Sequence, residues 1–170
     1  MPCNQTLAGL AHDCDPSMGG ILEVLLANKE DVTGVTVTTN KITAITLDTG
    51  KKFKAYHFNP ETGNFSSAYQ LNRQNNTRFV QSTISLVFGR MDTTKRLEMT
   101  ALAQNDLVAI VKDANGVYWY FGYDDAVTAS AANAQTGTAR TDRNGYDLTL
   151  VDNSLELPYE VDADIIEDLL

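Results

Sequence analysis

Four side chains could bind a soft metal ion: Cys3, His12, Cys14 and His57. His12-Asp13-Cys14, with Cys3 upstream, could supply three ligands. No CxxC pair and no two histidines at i, i+4 support them, so the spacing predicts no metal site. The pattern fits better a small buried Cys14 and a free Cys3 in an N-terminal arm. Nucleophilic catalysis needs a base beside a Ser or Cys. The two histidines, one in a loop and one on a strand, single out no such pair. Gly19-Gly20, Gly89 and Gly145 match no phosphate-binding loop ahead of a helix. No catalytic residue and no cofactor are therefore expected, and the chain reads as a non-enzyme.

Two further clusters carry weaker chemistry. Asp124-Asp125, with Asp113 and Asp142, could offer oxygen ligands to calcium, but their spacing is not that of an EF-hand loop and turn acids are the commoner explanation. Tyr118-Trp119-Tyr120-Phe121-Gly122-Tyr123 is the densest aromatic run. It could be a sugar-stacking platform or an interface anchor. It also reads as a hairpin strand with Trp119 and Phe121 on one face and Tyr118 and Tyr120 on the other, as a sheet covered on both sides requires.

The elements that would position these groups are mostly strands. Residues 1–20 form an irregular arm with Gly9, Pro16 and Gly19-Gly20. Strands follow at 21–27, 33–39, 42–47 and 52–58, with turns at Asn40-Lys41 and Asp48-Thr49-Gly50. After the loop Asn59-Pro60-Glu61-Thr62-Gly63 come strands at 64–72 and 77–90, the second with Ile84, Leu86 and Phe88 on one face. Asp92 can cap a helix over 93–105, with an apolar stripe of Leu97 and Ala101 beside Met99 and Leu102. Residues 107–112 and 117–121 flank Asp113-Ala114-Asn115-Gly116, whose Asn-Gly pair suits a two-residue type I′ hairpin. Residues 127–141, rich in Ala, Ser, Thr and Gly, read as a weak strand, a loop, or a segment ordering against a neighbour. A second Asn-Gly turn at 144–145 leads into a strand over 146–151, and Ile165, Ile166, Leu169 and Leu170 suit a short terminal helix. The expected fold is mainly β: an antiparallel β-sandwich or barrel with one flanking α-helix at about 92–105.

Charge divides the chain. Residues 152–170 hold seven of the 22 acids and no base, so residues 1–151 carry 15 acids against 13 bases, a net of −2. The expected organisation is an N-terminal arm (1–20), a β-domain (21–151) and an acidic C-terminal tail (152–170) serving solubility or docking on a neighbour. No basic stripe with interleaved aromatics suggests nucleic-acid binding, although a near-neutral body suits a surface that DNA passes without sticking. No run approaches the roughly 18 apolar residues of a membrane span, so no membrane partner is expected. The first residues lack a basic region and an apolar signal core, which argues against export, and two cysteines suit a reducing compartment.

Three groups of segments resemble proteins of phages and prophages of Bacteroides-type gut bacteria, including the crAss-like group. The first is Cys3-Asn4-Gln5-Thr6-Leu7-Ala8-Gly9-Leu10-Ala11 with Asp13-Cys14-Asp15-Pro16-Ser17-Met18-Gly19-Gly20. The second is Ala101-Leu102-Ala103-Gln104-Asn105-Asp106-Leu107-Val108-Ala109-Ile110-Val111, then Asn115-Gly116, Tyr118-Trp119 and Gly122. The third is Gln135-Thr136-Gly137-Thr138-Ala139 and Asp142-Arg143-Asn144-Gly145-Tyr146. The resemblance implies a virion structural protein similar to tail-tube and tail-ring subunits, assembled in the bacterial cytoplasm. It implies a homo-oligomeric ring, sixfold or twelvefold, meeting other tail or connector proteins while DNA passes through without specific binding. Head decoration, a capsid lattice or a glycan-binding adhesion module share the architecture. The arm (Cys3, Leu7, Leu10), the aromatic strand (Tyr118, Tyr120) and the soft segment (Ala132, Thr136, Thr138) are the expected subunit contacts, since edge strands and unpaired segments fold onto partners.

Overall fold

A computed structural model describes residues 7–170, and Cys3 lies outside the described residues. The β-branched and apolar runs form β1 (Ile21–Asn28), β2 (Val32–Thr38), β3 (Lys41–Leu47), β4 (Lys54–Tyr56), β5 (Asn64–Asn72) and β6 (Thr77–Gly89). The helix α1 (Thr93–Gln104) comes next, started by Asp92, whose carboxylate accepts from Lys95 N at 2.8 Å. Then follow β7 (Leu107–Asp113), β8 (Tyr118–Phe121), β9 (Thr128–Gln135), β10 (Gly145–Ser154), β11 (Tyr159–Val161) and a last short helix α2 (Ile166–Leu169). Seven strands pair in the order β2-β3-β11-β8-β7-β1-β4, and four in the order β5-β6-β10-β9. Every pairing is antiparallel except β11 with β3. The chain is thus mainly β, a sandwich with a flanking helix.

Between the sheets lies the first core: Val24 and Leu26 of β1, Ala109 and Val111 of β7 and Phe121 of β8 meet Ile84, Leu86 and Phe88 of β6 and Leu148 and Leu150 of β10. Met99 and Leu102 of α1 close its flank. The stripe expected on Leu97 points out instead, with Leu97 58% exposed. β9 makes room for the helix. A bulge opposite Thr149/Leu150 skips Ser130, so Ala129 and Ala132 share the inward side, and small side chains there let α1 come close.

The other face of the seven-stranded sheet has a second core: Leu25, Ile42, Val108, Ile110, Tyr120 and Val161, with Phe53 before β4 and Ile166 and Leu169 of α2. Residues from β2, β3 and the β4 edge all join it, so the sheet curls around the C-terminal helix. Phe53 N donates to Leu169 O at 2.9 Å, and Asp48 N to Asp31 O at 2.9 Å.

Several expectations need correction. The segment set apart as an acidic tail (152–170) is built into the fold: β10 runs to Ser154, and β11 lies inside the sheet between β3 and β8. Asp152 is itself buried, and beyond it the acids alternate with Val161, Ile166 and Leu169, which are 1–5% exposed. Of the readings open for 127–141, the strand holds for Thr128–Gln135: β9 is an edge strand with one bulge, paired along its length with β10. The Asn115-Gly116 pair does not make the expected type I′ turn. At Asp113–Gly116 only Gly116 has positive φ (+84°), and Gly116 N donates to Asp113 O at 3.1 Å, which is a type I turn closed by a left-handed glycine. Gly145 is instead the first residue of β10, where a Cβ would lie 2.1 Å from the Phe88 carbonyl oxygen. The two-residue turn with both φ positive sits at Thr39-Asn40 (+53°, +63°). Cys14, expected to be buried, is exposed.

Candidate functional site

The β5–β6 hairpin and β10 cross from an apolar to a polar interior, rung by rung. Leu148 pairs with Leu86 and Leu150 with Ile84, but the next rung is Asp152 with Ser82, and then Ser154 with Val80. On the β5 side, Phe65, Ser67, Tyr69 and Leu71 follow the same inward face, opposite Ile84, Ser82, Val80 and Arg78. Ser82 and Asp152 are buried, and Ser67 and Ser82 share a hydroxyl hydrogen bond at 2.8 Å. Asp152 Oδ2 accepts from Ser154 Oγ at 3.3 Å, while Oδ1 has no partner. Burial lifts its carboxyl above the usual range, because the charged form loses hydration there. One rung further Val80 and Ser154 are still buried; past them the two sheets part, and Tyr69 (48% exposed) and Leu71 (65%) are left uncovered.

The parting creates an open groove of about 520 Å³. Tyr69 and Arg78 of the hairpin form one wall; Trp119, Tyr159 and Glu160 form the other, with Asn40 and residues 155–158 at its end. Its size falls within the range of about 300–1,000 Å³ typical of ligand sites. The wall residues are held firmly. Trp119 Nε1 donates to Asp113 Oδ2 at 3.1 Å, and its ring packs on the first core. Leu155 N donates to Asp124 Oδ2 at 2.7 Å, and Ser154 Oγ to Glu156 O at 3.0 Å. Tyr159 donates its hydroxyl to Glu156 at 2.5 Å and packs at a tilt of 53° against Tyr123, with centroids 5.0 Å apart. That bond, with burial, pushes the Tyr159 phenol up to about 12, so it stays a donor at neutral pH. Leu155 and Leu157, about half exposed, are therefore presented on an anchored loop.

The expected contact residues separate into three situations. Leu7 and Leu10 of the arm are 95% and 103% exposed. The arm meets the body at Met18, whose backbone exchanges hydrogen bonds with the Asn115 side chain (2.8 and 3.0 Å) on the β7–β8 turn. Tyr120 is a correction: it is 1% exposed in the second core and cannot meet another subunit. Its hydroxyl is unpaired and burial raises its pKa strongly. Tyr118 packs partly against the same core, with Lys112 Nζ 5.3 Å from its ring centre. Ala132 borders a shallow cleft between β9 and α1, while Thr136 and Thr138 sit exposed in the β9–β10 loop, where Asp142 Oδ2 accepts from Thr138 N at 2.8 Å. Of the seven described positions, Tyr120 is buried and the other six lie on the arm, on β8 and around β9, apart from one another.

The acids weighed as calcium ligands each hold a nearby donor. Asp113 Oδ1 accepts from Asn115 N and Val117 N, and Asp125 from Ala126 N. Among the described residues no three His, Cys, Asp or Glu side chains gather to hold a metal ion. Sequence reasoning found Trp119 but missed Tyr69, Arg78, Leu155, Leu157 and Tyr159. Only the alternation that places Tyr69 and Leu71 in line with Phe65 hinted at them. Compared with family models, curated proteins and solved structures, the chain finds no match.

Proposed function

We propose that this protein is a non-enzymatic subunit that assembles with copies of itself into a ring or tube, of the kind found in a phage tail or head-to-tail conduit. The observation that carries this reading is the β5–β6 hairpin, which runs past the sandwich with Tyr69 and Leu71 uncovered on its inward face. A long hairpin with one apolar face continues a core only when another surface completes it. The outer strands β5 and β9 add sheet edges of eight or nine residues on which a neighbour's strand can pair. With residues 152–170 part of the fold, the chain as folded carries a net charge of −9. A negative surface suits a conduit through which DNA slides without sticking, in a virion assembled in the bacterial cytoplasm beside other tail or connector proteins. No helix of the described residues is long and apolar enough to cross a membrane.

Light scattering over a concentration series, with negative-stain imaging of large species, tests this. Rings or stacked tubes with a central hole are expected. A strict monomer at every concentration, alone and with preformed phage tails, would sink the reading.

The groove favours a second reading. Tyr69, Trp119 and Tyr159 gather there with Asn40, Glu156 and Glu160, the mixture of aromatic faces and polar groups that holds saccharides. A head-decoration or adhesion module would use it so. Saccharide binding on a glycan array, lost in Tyr69→Ala, would carry that alternative; Tyr69 is the cleaner test because Trp119 also supports the core.

A further inference from the structure

We infer that the groove between the β5–β6 hairpin and β8–β11 is the acceptor for the N-terminal arm of a second copy of this chain, with Leu7 and Leu10 seated against Tyr69, Trp119, Leu155 and Leu157. This rests on the assembly reading above and specifies its contact.

Both halves of the contact are exposed within one chain. The arm presents two leucines with essentially their whole surface in water, and the groove, polar over most of its lining, sets Tyr69, Trp119, Leu155 and Leu157 among Asn40, Arg78, Glu156 and Glu160. Isolated exposed leucines need no explanation, but an uncovered pair on a segment without other structure, beside an uncovered groove, does. Length permits the contact: residues 7–17, leading from the root at Met18, extend up to about 36 Å. The arm does not lie in its own groove, even though its root sits on the β7–β8 turn close to Trp119.

Charge fits as well. The stretch Leu7-Ala8-Gly9-Leu10-Ala11 carries no charge, and the arm's acids, Asp13 and Asp15, stand nearer the root. In the groove Glu160 pairs with Lys41 at 3.0 Å and Glu156 accepts from Tyr159, while Arg78 stands on the opposite wall, so acidic and basic groups are both present for an uncharged segment to lie between. Its remaining polar groups, Asn40 among them, can serve the backbone of an extended peptide, whose N–H and C=O groups need partners when covered. An arm and a groove at different places on one chain make a head-to-tail contact, which closes into a ring or runs on as a tube.

Trp119 is the sole tryptophan, so its fluorescence reports on the groove. The full-length chain carrying Leu7→Asp and Leu10→Asp keeps the groove and loses the arm's apolar contacts. Titrating it with a peptide of residues 1–17 should shift Trp119 emission saturably, and the same peptide with both leucines replaced should bind at least ~100-fold more weakly. The wild-type chain should assemble where the variant does not. If the variant assembles like wild type, the assembly reading survives and this contact is wrong. An emission difference between wild type and variant that is independent of concentration places the arm in its own groove and overturns exchange between copies. A response to neutral oligosaccharides with none to the peptide overturns it in favour of the sugar reading. A wild-type monomer whose variant ignores the peptide removes both proposals together.

Discussion

The seven-stranded sheet covers its two faces by different means. One face meets a second sheet, and the contact is a lattice of alternating strand residues: Val24, Leu26, Ala109, Val111 and Phe121 against Ile84, Leu86, Leu148 and Leu150. The other face is closed by the chain's own last residues, with Val161 in the sheet and Ile166 and Leu169 on a single helical turn. The first core is apolar in its middle and turns polar at Ser82 and Asp152, one buried rung (Val80, Ser154) before the sandwich opens towards the groove. The second stays apolar but for the Tyr120 hydroxyl. One core has many contributors and a weak end; the other has few contributors and depends on a short segment arriving in place.

That contrast can be broken hardest in the middle of the first core. Leu148→Ala should cost about 3–5 kcal/mol, because neighbouring strands on both sides prevent the cavity from collapsing. Urea unfolding with an unchanged slope would establish the loss. Ile166→Ala should cost less, about 2–3 kcal/mol, since a terminal turn can settle into part of the space. If the second core were an appendage, that variant would show a separate early transition. A single cooperative transition is expected, because both cores share β1, β7 and β8.

The polar end of the first core gives a smaller effect with a defined sign. Burial raises the folded pKa of Asp152 above its unfolded value, so the folded chain holds that proton more tightly. Its contribution to stability therefore increases as pH falls through the folded pKa, and is complete below about 3.9. Asp92 and Asp142 work the other way. Backbone amides of Lys95, and of Ala139 and Thr138, lower their pKa, so their stabilisation is present above the unfolded value and lost as pH falls through the depressed one. Asp152→Asn should raise stability at pH 7 by about 1 kcal/mol, since an amide is less costly to bury than a charge. The gain should shrink towards pH 4, and an advantage that is the same at both pH values would show that the charge is not the cause. Smaller again is Tyr120→Phe, which removes an unpaired buried hydroxyl from the second core and should be neutral or stabilising by up to about 1 kcal/mol. Leu7→Asp with Leu10→Asp lies outside both cores and should leave the thermal stability of the monomer, compared at a concentration too low for assembly, within about 0.5 kcal/mol.

The sequence by itself determined the strands and the helix wherever the signal was local. Strands over 64–72 and 77–90, the Asp92 cap, and the split of Trp119 and Phe121 from Tyr118 and Tyr120 all follow from alternation and capping, which a few neighbouring residues settle. What tertiary structure decided was everything that needed a distant partner. Thr128–Gln135 has little strand preference of its own and becomes β9 because β10 supplies hydrogen bonds along it. Tyr159–Val161 is three residues among acids, and becomes an interior strand because β3 and β8, some 40 or more positions away in the chain, leave a gap of that width. Gly145 reads as a turn from its neighbour Asn144, yet the requirement it meets is the Phe88 carbonyl across the sheet. The groove exists for the same reason: Tyr69, Trp119 and Leu157 are ordinary residues in three separate stretches, and only the divergence of the two sheets past the buried Val80–Ser154 rung places them around one space.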